Sequence, residues 1–288
     1  SAPSIPSAPT IPATCPEQEE DIDPADEDPS IPKERSIAHH SFAAKKVALL
    51  SLDIEHAGEF VGIVQLSGEL VRLDLEPSGR SARSDKATNV RRGDQTFNRY
   101  VKPESNMEWD AHCVSTHGIN AADERIRTAD SIQTVWSEFV NWVGENTAPD
   151  EVVILVAYNG DSCDLKWLWK LTQAPGSQLN MPANVKFFLD PHRVIRAYSG
   201  CRLHPSKSKL DSLELGMVWK YIHNGENLNG AHNSLVDAMA QSDIVLHEYF
   251  VPYINRTKSV QKISDMFRKK DVLEWKKKME PLREVHQP

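Results

Sequence analysis

Residues 151–160, "EVVILVAYNG", set the tightest limit on what this chain can fold into. A continuous apolar run stops at Asn159-Gly160. A strand that is apolar on both faces suits the interior of a parallel sheet covered by helices on either side. The neighbouring segments agree. Before it, "ADSIQTVWSEFVNWVGEN" puts Ile132, Val135, Trp136, Phe139, Val140 and Val143 at helical spacing. After it, "DLKWLWKLTQ" predicts a helix, "VKFFLD" a strand and "PHRVIRAY" another helix. "SKLDSLELGMVWKYI" and "NSLVDAMAQSDIVLHEYF" each predict one amphipathic helix. Upstream, "KVALLSLDI", "FVGIVQLSG" and "ELVRLDLE" predict a three-strand antiparallel meander with a turn at "LSGEL". "FNRYVKP" predicts a further strand. The order ββββ, then α-β-α-β-α-α, indicates an α/β fold with a mixed sheet and helices on both sides.

The 288 residues, 40% hydrophobic, suffice for one substantial domain with length left over. The expected division is a disordered segment over 1–44, a folded domain over 45–255 and a basic helical extension over 256–288. The first segment is Pro-rich ("SAPSIPSAPTIPATCP") and then acidic ("EQEEDIDPADEDP"), a composition that cannot bury enough apolar surface to fold. It reads as a linker or as an interaction tail. Residues 1–36 hold nine acids and two bases, −7 of a formal charge of −8, which leaves the remainder near −1. The acidic total therefore does not argue against a nucleic-acid partner. Residues 256–288 hold ten Lys or Arg against five acids, a solvated helix or a contact surface. The four cysteines show no CxxC spacing and read as reduced thiols. No apolar run is long enough to span a bilayer, and the start does not resemble a signal peptide. A soluble intracellular protein with no membrane partner is expected.

The chemistry is carried by acids. "LLSLDIEHAG" ends an apolar strand on Asp53 and Glu55, which alternation places on one side. Like charges a few Å apart are costly to bury unless neutralised, and a hard divalent cation such as Mg2+ or Mn2+ does this directly. "VAYNGDSCDLKWL" places Asp161 and Asp164 at the carboxyl end of a strand, where open α/β sheets form sites. Asp161 suits a helix cap, and Asp164, one turn on, faces back toward the sheet. "GAHNSLVDAMAQ" puts His232 in a loop just before a helix whose first turns carry Asp237. An imidazole at that place suits proton transfer from water near neutral pH. Four carboxylates are enough to hold two cations about 3.5–4 Å apart, the arrangement that serves in-line phosphoryl displacement.

These motifs, in this order, resemble the DEDDh 3′→5′ exonucleases of the RNase T-like superfamily. The resemblance covers about Val47 to Phe250. "SLDIEHAG" resembles the family's DxE motif, "YNGDSCDLKWL" its HNxxxFD motif and "AHNSLVDAMAQSDIV" its HxxxxD motif. "FNRYVKPESNMEWDAHCVSTHGI" and "SKLDSLELG" resemble the stretches that lead to the hGI turn and to the third motif. The resemblance implies an RNase H-like fold, a mixed five-stranded sheet in which a three-strand antiparallel meander is joined to parallel strands. It implies Asp53, Glu55, Asp164 and Asp237 as ligands of two divalent cations, Mg2+ or Mn2+, with Asp53 touching both, and His232 as the general base. His56, Ala57 and Gly58, with Asn159, fall near the terminal nucleotide.

Two departures stand out. His56-Ala57 occupies a position where relatives carry Thr-Thr or Ala-Thr, and Tyr158 stands where His is frequent, in a packing role. The implied function is release of nucleoside 5′-monophosphates from the 3′ end of single-stranded DNA or RNA. The alternative is a weakly active module that binds nucleic-acid ends, alone or within a larger protein of mobile-element type. The polar insertion from Pro77 to Asp94, with Arg80, Arg83, Lys86, Arg91 and Arg92, reads as a grip on the nucleic-acid backbone or as a surface loop. Trp109, Trp167 and Trp169 read as base-stacking or core residues.

Overall fold

The structure, a computed structural model, describes residues 47–59, 61–74, 89–103, 108–254 and 259–268, together with Lys277. Strands β1 (Val47–His56), β2 (Ile63–Asp74) and β3 (Asn89–Lys102) come first. Short helices α1 (Ala111–His117) and α2 (Glu124–Arg127) and strand β4 (Asp130–Ser131) follow. Then come α3 (Ile132–Asn146), β5 (Val152–Val156), α4 (Asp164–Thr172), β6 (Val185–Leu189) and α5 (Pro191–Ala197). The last elements are α6 (Pro205–Ser208), α7 (Leu215–Ile222), α8 (Ser234–Leu246), α9 (Val251–Ile254), β7 (Val260–Lys262) and α10 (Ile263–Met266).

The strands form one mixed sheet in the order β4-β3-β2-β1-β5-β6-β7. β1 pairs antiparallel with β2 and β2 with β3, while β1, β5 and β6 run parallel. β5 is buried on both faces, as its composition requires. Val153 and Leu155 join one core cluster with Trp136, Phe139, Leu168 and Phe188. Ile154 and Val156 join another with Val218, Ile244 and Phe250. β1 divides the same way: Ala48, Leu50 and Leu52 face the first cluster, Val47 and Leu49 the second. α3 buries Val135, Trp136, Phe139 and Val143, the stripe predicted for it, and starts at Ser131, whose Oγ accepts from Thr134 N–H.

The α/β class and the mixed sheet are as expected, with three differences in detail. The sheet has seven strands among the described residues rather than five, because β4 and β7 add short edges. "LSGEL" is not a turn: β2 runs straight through it for 12 residues. Gly68 is there for close packing, since a Cβ would lie 3.3 Å from Ser51 O and 3.4 Å from Phe139 Cε2. The meander is therefore β1-β2-β3, and the end of the basic insertion belongs to it, with Arg91 and Arg92 paired opposite Arg72 and Val71. Arg80, Arg83 and Lys86 lie outside the described residues. Finally, the helix predicted across "SKLDSLELGMVWKYI" is broken. Lys209 is left-handed (φ 56°) at the end of α6, and Tyr158 Oη donates to Leu213 O at 2.6 Å, so helix resumes only at Leu215.

Past residue 255, where the domain was expected to end, β7 pairs antiparallel with β6. Ile263, Met266 and Phe267 are buried in the first cluster, so this part of the C-terminal extension is built into the sheet. The N-terminal segment 1–44 and the rest of the predicted C-terminal helix, apart from Lys277, lie outside the described residues. Among the described residues, no helix is long and apolar enough to cross a membrane.

Candidate active site

The odd-numbered face of β1 changes character along the strand. Val47 and Leu49 are core, Ser51 is buried and polar, and Asp53 and Glu55 follow. That face is covered by α8. Asp237, in the first turn of α8, thereby meets the two acids of β1: a carboxylate oxygen from each of Asp53, Glu55 and Asp237 lies within 4.8 Å of the others. Asp164 opens α4 and is buried. Its Oδ1 accepts from Ile54 N–H at 3.1 Å, which turns the carboxyl back against β1 between the two acids of that strand.

The four carboxyls repel one another. Burial and then Asp164, Glu55 and Asp237 hold Asp53 well above the usual carboxylate range. Burial, Asp237 and Asp164 push Glu55 up to about 8. Asp164 rises to about 7 through burial, against the pull of the Asp164 and Ile54 N–H groups. Asp237 rises to about 6 through burial, offset by His232. Besides burial, the charged groups that raise Asp53 and Glu55 are the neighbouring carboxylates. A crowded set of hard oxygen donors that repel one another fits a divalent metal.

His232 sits in the loop before α8, as expected, with an exposed side chain and a left-handed backbone (φ 64°). Its N–H donates to Asp237 Oδ2 at 2.9 Å, so the loop is fixed to the acid it accompanies. The start of α8 is itself clamped to the sheet by buried hydroxyls. Ser234 Oγ lies 2.6 Å from Ser67 Oγ, and Ser67 Oγ donates to Asn98 Oδ1.

The remaining candidates are placed unequally. The His56 ring lies 5.1 Å from Trp167, and its Nδ1 accepts from Gly58 N–H at 3.2 Å and lies 3.7 Å from Cys113 Sγ. Ala57 is fully buried, with Val61, Val64 and Ile119 around it, and both of its backbone groups are bonded. Gly58 has φ 126°, and a Cβ there would sit 3.2 Å from Asp110 Cβ. Asn159 is exposed, left-handed (φ 54°) and donates its N–H to Asp190 Oδ1 at 3.0 Å. Trp167 and Trp169 are core residues, and Trp109 packs half-buried against the cluster that holds Ala57.

Asp161 does not cap α4. Its Oδ2 pairs with Arg193 at 3.0 Å, and the N-cap position of α4 is Cys163, without a side-chain bond. Sequence reasoning missed two residues here. Buried Asp190 accepts from Asn159 and Asp161 N–H and holds the turn that leads to Asp164. Gln241 donates to Asp53 Oδ1 at 3.2 Å. Its spacing of four from Asp237 put it on the same helix face, a usable signal, but its partner is not visible from local sequence.

Comparison with known proteins identifies the family. The RNase T family model, described as an exonuclease, matches residues 82–245, more than half of the chain. The match begins downstream of β1, so Asp53 and Glu55 join the set through the fold. A crystal structure of cell-death related nuclease 4 (CRN-4) is similar at 20% identity with a TM-score of 0.49, over 69% of this chain and 62% of that one, so the chain spans less than two thirds of that protein. The nuclease domain of 3′hExo, a DEDDh family member bound to rAMP, is similar at 17% identity with a TM-score of 0.46, over 70% of this chain and 90% of that one. A 3′-exonuclease that recognises the histone mRNA stem-loop is similar at 14% identity with a TM-score of 0.46, over 78% and 73%. No curated protein sequence matches.

Proposed function

The chain belongs to the RNase T exonuclease family, and from that premise we propose that it is a metal-dependent 3′→5′ exonuclease. The observation that carries this reading is the convergence of Asp53, Glu55 and Asp237 oxygens within 4.8 Å, with Asp164 bonded to the backbone between the first two. Asp53, Glu55, Asp164 and Asp237 would hold two divalent cations, Mg2+ or Mn2+. Such ions, when bound, supply the positive charge that stabilises the attacking and leaving oxygens at a scissile phosphate.

The chain's own residues do the rest. His232, exposed at the mouth and tied through its N–H to Asp237, takes the proton from the attacking water. The tether runs through the backbone and leaves the side chain to chemistry. His56 and Asn159 offer side chains to the terminal nucleotide. Ala57 and Gly58 contribute shape, because Ala57 has both backbone groups occupied and Gly58 passes too close to Asp110 for a side chain. The acids are half-buried or buried, which favours a single strand of DNA or RNA as the substrate that reaches them. The products are nucleoside 5′-monophosphates. We place the catalytic domain from residue 45 through α10, with segment 1–44 as linker or interaction tail.

The test is digestion of matched DNA and RNA oligonucleotides labelled at either end, with Mg2+, Mn2+ or EDTA. Mononucleotides should appear at once from the 3′ label and only late from the 5′ label, with nothing in EDTA. Asp53→Ala and Asp237→Ala should fold and be inactive, and His232→Ala should bind Mn2+ yet turn over about 100-fold or more slowly. Hydrolysis by a folded Asp53→Ala or Asp237→Ala variant, or in EDTA, would overturn the assignment.

A further inference from the structure

Gln241 lies on α8 one turn beyond Asp237 and is completely buried. Its Nε2 donates to Asp53 Oδ1 at 3.2 Å, and its Oε1 accepts from Tyr158 N–H at 3.3 Å. A backbone N–H can only donate, so the amide has one workable orientation. Its oxygen faces Tyr158 and its NH2 faces Asp53; reversed, it would oppose donor to donor and acceptor to acceptor. The bond to Asp53 is therefore dictated from the far side by the backbone of Tyr158, two residues past β5.

A purely structural tie between α8 and β1 exists without it. The next residue, Ser242, donates through Oγ to Ser51 Oγ at 2.8 Å, on the same face of β1 and two residues before Asp53. Gln241 adds something the serine pair does not, a direct hold on one carboxylate oxygen. An amide holds it without bringing positive charge, so it does not compete with a cation as Lys or Arg would.

We propose that Gln241 is a positioning residue for cation binding: it engages Asp53 Oδ1 and so presents the rest of that carboxylate to the metal. This rests on the reading of the four acids as a cation site. The test measures Mn2+ binding to the full chain, by calorimetry and by loss of the free Mn2+ paramagnetic signal. Gln241→Met keeps the volume and loses both bonds. Its Mn2+ affinity should fall about tenfold or more, as removal of an outer partner of a metal ligand does. Turnover should fall with it and recover as Mn2+ is raised, while KM for the oligonucleotide stays within about twofold of wild type.

Should Gln241→Met fail to fold in EDTA, Gln241→Asn serves, because its shorter amide cannot span both partners; at least about threefold weaker Mn2+ binding is expected. Wild-type affinity in a folded variant, or a stability loss that is equal with and without Mn2+, would overturn the proposal. Absence of Mn2+ binding by the wild type would overturn instead the reading of the site on which it rests.

Discussion

Without a cation, four converging carboxyls should make the fold weaker as the pH rises, and Glu55→Gln should relieve part of that weakness. The folded state raises the Glu55 carboxyl from 4.5 to about 8, chiefly by burial and then by Asp237 and Asp164. Between those limits the folded protein keeps a proton that the unfolded chain releases. Stability from this group is therefore fully present below pH 4.5 and is lost as the pH climbs through 8. At roughly 1.4 kcal/mol per pH unit, the full loss is on the order of 5 kcal/mol. Solvent screening at a half-buried carboxyl reduces that to about 2–3 kcal/mol. In EDTA at pH 8, Glu55→Gln should thus be more stable than wild type by about 2–3 kcal/mol, a rise in Tm of roughly 4–12 °C. The gain should shrink toward zero at pH 4.5.

Saturating Mn2+ should narrow or close that gap. A ligand at 100 times its Kd stabilises by about 2.7 kcal/mol, and the variant, with a damaged site, gains less. The assay is urea or thermal unfolding across pH 4.5–8.5 with EDTA or Mn2+. A variant no more stable than wild type in EDTA at pH 8, or one whose advantage does not depend on pH, would refute the account of the cluster as mutually repelling acids.

Two substitutions away from the acids separate folding from site geometry. A Cβ on Gly160 would fall 2.5 Å from Ala157 Cβ and 3.1 Å from Phe188 Cζ, in the turn whose carbonyl accepts from Leu165 N–H. Gly160→Ala should lose about 3 kcal/mol by overpacking and weaken Mn2+ binding, because Asp164 moves with the turn; a wild-type urea midpoint would count against that. Phe139→Ala removes a fully buried ring that packs on Trp136 and Phe97, in the core cluster on the face away from α8. It should lose about 3–5 kcal/mol with unchanged Mn2+ affinity in the folded fraction; a weakened affinity would show that the two faces are coupled.

The acids were legible in the sequence because each belongs to a short pattern that is settled locally. Alternation along β1 puts Asp53 beside Glu55, the break at Asn159-Gly160 ends a strand before Asp164, and the Asn233 cap starts α8 just after His232. What holds them is not local. Gln241 reaches Asp53 across 188 positions, and Ser242 reaches Ser51 across 191. The turn wrongly expected at Gly68 fails for the same reason: the glycine answers to Phe139, far along the chain, rather than to its neighbours.

The placement of the acids nevertheless follows from polarity matched along two elements. Read from the amino end of β1, its odd-numbered face runs from Val47 and Leu49 through Ser51 to Asp53 and Glu55. Read from its carboxyl end, α8 runs from Val245 and Ile244 through Ser242 and Gln241 to Asp237. Val47, Leu49, Ile244 and Val245 share one core cluster, the two serines bond, Gln241 meets Asp53, and Asp237 lies against Asp53 and Glu55. Sliding α8 by one turn toward the amino end of β1 would carry Asp237 toward Ser51 and Leu49 and bury an acid among groups that cannot compensate it. The apolar contact at one end of the pair thus fixes the register, and the register brings the carboxylates together at the other.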